Sequence, residues 1–96
     1  MPNYLVETYL ARERLGERSA QERHVRDAAA QLTREGRLVR FTRSLHLPED
    51  EVCFFVLDAP SGRDAALAAE RAGLDPIRVV EALSSDAVPT RPEEDT

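Results

Sequence analysis

Residues 4–11 alternate with a period of two: Tyr4, Val6, Thr8 and Leu10 share one face, and Leu5, Glu7 and Tyr9 share the other. Both faces are largely apolar, so the pattern predicts a strand covered on both sides. Residues 12–18, RERLGER, read as a charged loop. The period then becomes helical over residues 19–35, where Val25, Ala28, Ala29 and Leu32 fall at i, i+3, i+4 and i+7. Ser19 and Glu22 have capping-box spacing at the start, and Gly36 supplies the stop.

The most telling stretch is LPEDEVCFFVLDAPS at residues 47–61. It predicts a tight acidic turn, a strand apolar on both faces and a helix start. Residues 38–47 and 52–58 are two strands joined through Pro48, Glu49 and Asp50, an antiparallel hairpin. Pro60 and Ser61 open a second helix, with Asp64 three residues after Ser61. Its stripe is Ala65, Ala68, Ala69 and Ala72, small enough for the helix to lie close to a sheet. Gly73 ends it, with Leu74 folding back over the last turn. Residues 77–83 predict a fourth strand.

Strand–helix–strand–strand–helix–strand is the α+β, ferredoxin-like βαββαβ arrangement. Two right-handed crossovers put both helices on one face of a four-stranded antiparallel sheet, in spatial order 4-1-3-2. The other face would be bare. Yet Phe54 and Val56 oppose Cys53, Phe55 and Leu57, while Ile77 and Val79 oppose Val80 and Ala82. A bare apolar face calls for a partner. The expected solution is a homodimer with two sheets face to face, a dimeric α/β barrel, with a ligand site between them.

Ninety-six residues make one small domain, expected over 1–83. Residues 84–96 hold four acids against one arginine and few apolar groups, the composition of a disordered acidic tail. The net charge of −5 argues against nucleic acid. All thirteen basic residues are Arg, and with thirteen Ala the usage suits a high-GC bacterial genome. A lone Cys53 in an apolar strand suits a reducing compartment. The first thirty residues have no apolar core of signal-peptide length, and no run approaches the roughly 20 apolar residues of a membrane span. The expectation is a soluble cytoplasmic protein with no membrane partner.

YLVE (4–7), RSLHLPEDEVCFFVLDAPS (43–61), RAGL (71–74) and RVVEA (78–82) resemble the small actinobacterial proteins known as nickel-binding or as a ferredoxin-like domain of unknown function. The likeness covers most of residues 3–83. It implies a ferredoxin-like fold, a dimer and, in some members, bound nickel. Many of that family carry a His-Ser pair on the second strand, the His being a metal-ligand candidate. The matching position here is Arg43, and a guanidinium does not deprotonate to bind a metal.

Glu7 sits mid-strand between apolar neighbours, as does Glu81 on the fourth strand, expected beside the first. A carboxylate inside a sheet is costly unless paired. Two close carboxylates would raise one pKa and offer an acid/base pair or a hard metal site. The plainer alternative is that each meets an arginine such as Arg40, Arg43 or Arg78. Arg43 could anchor a carboxylate or phosphate bidentately, or pair with Glu7 or Glu81. Tyr9 lines the cavity or packs in the core. Candidate ligands for nickel or another divalent metal are His46, Cys53, Glu7 and Glu81. His46 and Arg43 are separated by an odd number and alternate to opposite faces, unless a bulge intervenes. His46 and Cys53 are near-opposed across the hairpin. Cys53 lacks CxxC spacing, and a small core hydrophobe is its plainer reading. No phosphate loop, nucleophile elbow or Ser/His/Asp signature occurs.

The leading functional expectation is a non-enzymatic homodimer holding a small molecule or divalent metal between its sheets. One alternative is a cofactor-independent dimeric α/β-barrel enzyme, monooxygenase-, isomerase- or cyclase-like, with Arg43 orienting an anionic substrate and Glu7 or Glu81 moving a proton. Another is a structural accessory protein docking a different chain.

Overall fold

The computed structural model describes residues 1–83; the expected acidic tail at 84–96 lies outside the described residues. The elements are β1 (Asn3–Tyr9), a 3-10 helix (Arg12–Glu17), α1 (Arg18–Arg34), β2 (Arg40–Leu47), β3 (Val52–Asp58), α2 (Gly62–Arg71) and β4 (Arg78–Ala82). All pairings are antiparallel, in the order β2-β3-β1-β4. This is the ferredoxin-like arrangement and strand order expected from the patterning.

The core lies between the sheet and the two helices. Val6 of β1 stands opposite Phe55 of β3 and Val79 of β4, and Val6, Phe55 and Leu57 are completely covered. The expected stripe of α1 (Val25, Ala28, Ala29, Leu32) is buried throughout. So is the alanine stripe of α2, with Ala65 and Ala68 fully covered. Small side chains let α2 approach β1 so closely that a Cβ on Gly62 would sit 3.4 Å from the Tyr4 ring. Ser61 caps α2, its Oγ accepting from the Asp64 N–H at 3.2 Å. At the other end Gly73 adopts φ +79°, and the Leu74 N–H donates to the Ala69 carbonyl at 3.0 Å.

The start of α1 differs from expectation. RERLGER is not a loop: Arg12–Glu17 forms a 3-10 helix that runs into α1, and the Arg18 N–H donates to the Leu15 carbonyl. The preceding turn thus supplies an acceptor where a capping side chain was expected. Glu17 occupies the N-cap without a side-chain capping bond, and Ser19 lies inside the helix, so no Ser19–Glu22 box forms. Glu22 instead turns to the sheet and accepts from Ser44 Oγ. Strand ends also shift: β2 begins at Arg40 and β4 at Arg78, leaving Leu38 and Ile77 more than half exposed.

A β-bulge interrupts β2 between Phe41 and Arg43. Phe41 pairs with Leu57 and stacks on the helix side, its ring centroid 6.1 Å from that of Phe55 and 5.1 Å from the Arg26 guanidinium. Arg43 pairs with Val56, on the opposite face. The extra residue breaks the period of two and turns Arg43 away from the helices.

Candidate functional site

None of the described helices covers the second face of the sheet. Its centre is formed by Val80, Leu5 and Val56, which follow one another across β4, β1 and β3 in register, and by Phe54, which stands opposite Glu7 on the same face. Leu45 and Leu47 of β2 extend it, 45% and 41% exposed. The charged groups on this face are mostly neutralised within the protomer. Glu7 Oε1 accepts from Arg78 Nε at 2.6 Å. At the sheet's end Asp58 accepts from Arg40 Nη2 at 2.7 Å and from Asn3 Nδ2.

Arg43 is the exception. Among the described residues it has no ion-pair partner and makes no side-chain hydrogen bond. The bulge places it beside a pocket of about 360 Å³ whose other walls are Asn3, Leu5, Thr42, Leu45, Val56 and Ala82. Two of those walls are polar and neutral: Thr42 Oγ1 donates its hydrogen to the Val56 carbonyl at 3.0 Å, and Asn3 Nδ2 donates one of its two to Asp58. The pocket therefore offers a largely apolar lining and, among the described residues, one cation without an ion-pair partner.

Glu7 meets an arginine, Arg78, as the plainer alternative had it, and the possible carboxylate pair of Glu7 and Glu81 does not form. The register sets Glu7 against Arg78 and Glu81 against Tyr4, so the two carboxylates lie on opposite faces. Glu81 is exposed on the helix side of an edge strand. Glu7, Tyr9 and Arg43 do share the open face, but of these Arg43 alone lines the pocket. Tyr9 is 56% exposed, and its hydroxyl donates to Glu51 Oε1 at 3.1 Å. That bond and the nearby Glu51 charge raise the tyrosine pKa. Glu51 Oε2 also accepts from the Arg12 N–H at 2.8 Å. This backbone bond, seconded by Tyr9, holds the Glu51 carboxyl below its ordinary value.

The other two candidates face the helices. His46 and Cys53 are register partners across β2 and β3. Cys53 is completely buried, and burial pushes its thiol pKa up. His46 is half-buried, with Nε2 covered and without a hydrogen-bond partner among the described residues. Around the start of α1 lies a polar cluster that the patterning did not reveal: Arg18 donates to Ser44 Oγ at 3.1 Å, and Ser44 donates to Glu22. Its nearest sequence signal is the odd polar position Ser44 on the helix-facing side of β2.

These positions do not fit a divalent metal. Glu7 lies across the sheet from His46 and Cys53, and is bound to Arg78; Glu81 is on the far edge strand. Among the described residues no three His, Cys, Asp or Glu side chains converge on a common point, whereas nickel or zinc needs several donors around one centre.

No described helix is long and apolar enough to cross a membrane. Comparison with protein-family models, curated proteins and solved structures gives no significant match.

Proposed function

We propose that the chain is a non-enzymatic binding protein whose open sheet face pairs with a second copy and encloses a small-molecule site between the two sheets. The observation that carries this reading is the make-up of the face. It is apolar across three strands, and among the described residues two of its three arginines already hold carboxylates inside the same protomer. A face of that composition loses unfavourable water contact on pairing without stranding those charges. A domain this small also buries a limited share of its own surface, and pairing compensates. The Arg43 pockets would then be roofed by the second sheet. The resemblance to small dimeric ferredoxin-like proteins supports the same assembly. An acid/base role has less support, because Glu7 is tied to Arg78 and separated from Glu81.

Native mass spectrometry of the untagged protein tests the reading. The expected spectrum is a dimer that carries a small organic adduct under gentle activation and releases it under harsher conditions. A spectrum of bare monomer across the accessible concentration range would refute it.

A further inference from the structure

We infer that the Arg43 pocket takes a small monocarboxylate with an apolar body, and that this ligand tightens the pairing of the two sheets by neutralising Arg43. The inference rests on the sheet-pairing reading above. Its starting point is the asymmetry among the three arginines of the open face. Arg40 and Arg78 are matched by Asp58 and Glu7, at 2.7 and 2.6 Å. Arg43 has no such match among the described residues, and the bulge directs it to a pocket whose other walls are Leu5, Leu45, Val56 and Ala82 with the neutral Asn3 and Thr42.

Covering that pocket with a second sheet removes from the guanidinium water that no described carboxylate replaces. An unpaired buried charge is strongly unfavourable. Left alone, Arg43 therefore opposes the association that the surrounding apolar residues favour. A carboxylate restores a bidentate partner for its planar fork.

The pocket sets the rest of the ligand's chemistry. It presents one positive charge, and its two neutral polar side chains, Asn3 and Thr42, already donate elsewhere. One monoanion matches that single charge; a phosphate dianion would bring a second negative charge that no other described cation of the lining offsets. The apolar walls select an aliphatic or aromatic body, and about 360 Å³ sits at the small end of ligand pockets. Because the ligand binds the paired state in preference to the free protomer, binding and dimerisation are linked by mass action.

Sedimentation equilibrium of the full chain, with and without benzoate, tests the coupling. Saturating benzoate is expected to tighten the wild-type dimer at least tenfold, with one ligand bound per chain by calorimetry. Benzamide, its neutral isostere, should leave the constant unchanged. Arg43→Met should dimerise more tightly than wild type without ligand and lose the response to benzoate. Arg43→Lys keeps the charge but not the fork, and should retain a weakened response. A wild-type dimer indifferent to benzoate, or one answering equally to inorganic phosphate, would overturn the ligand assignment and leave the sheet pairing standing. A wild-type chain that stays monomeric even with benzoate would overturn both.

Discussion

Glu7 and Arg78 face each other in register on the open side of the sheet, joined by a 2.6 Å hydrogen bond between carboxylate and guanidinium. The Glu7 side chain is only 17% exposed and that of Arg78 63%. The pair explains how a carboxylate is tolerated between apolar neighbours. Solvent around Arg78 screens the interaction, so its worth is near that of a surface pair. Glu7→Gln should lower the unfolding free energy by about 1 kcal/mol or less. Exchanging the two, with Glu7→Arg and Arg78→Glu together, should recover most of the loss in urea titrations.

Cys53 behaves as a core side chain. It is fully covered beneath α1, and burial raises its thiol pKa, so the nucleophilic thiolate is scarce at neutral pH. A disulfide reagent should leave the native protein unmodified over hours and react within minutes in denaturant. Rapid stoichiometric labelling of the native protein would contradict the placement.

Helix packing depends on side-chain size at two kinds of position. Leu32 is a large, fully covered anchor of α1, and Ala68 a small contact of α2. Leu32→Ala should cost about 2–5 kcal/mol by leaving a cavity. Ala68→Leu should cost about 1–3 kcal/mol by forcing α2 off the sheet. Chemical denaturation of both variants checks the pair, and a stabilised Ala68→Leu would show that α2 has room the packing denies it.

Glu51 joins three segments. It sits at φ +55° in the hairpin turn, while its carboxylate accepts from the Arg12 N–H and the Tyr9 hydroxyl. Its folded pKa is lowered. Its stabilising share is therefore complete above the ordinary glutamate value of about 4.3, and is lost as pH falls through the lower folded value. Tyr9 shifts the other way: its share persists at neutral pH and is lost as pH rises through a folded value above the usual range of about 10. Glu51→Gln should narrow the stability difference from wild type on acidification, as read by urea midpoints from pH 7 down to pH 3.

The sequence pattern carried the fold because its periods are local. The stripes of both helices and the bounds of β3 follow from spacing within one element. What it did not carry is the relation between elements. Nothing within β1 or β4 says that Glu7 meets Arg78 and Glu81 meets Tyr4; a one-residue change of register would reverse that. The bulge between Phe41 and Arg43 is equally hidden. Two residues apart, they would share a face in a regular strand, yet one packs on Phe55 and the other lines the open pocket. Ser19 and Glu22 matched a capping box, but the 3-10 helix before them continued the chain into α1 and Glu22 found Ser44.

Sedimentation equilibrium of wild type beside Phe54→Glu tests most directly whether the open face pairs with a second copy. Phe54 lies between Glu7 and Leu45 at the middle of that face, so a charge there should block pairing while the helix-side core stays intact. The expected result is twice the 10.7 kDa chain mass for wild type and the single-chain mass for Phe54→Glu, with matching circular dichroism. A wild-type chain at 10.7 kDa over the whole concentration range, or a folded Phe54→Glu dimer as tight as wild type, would contradict it.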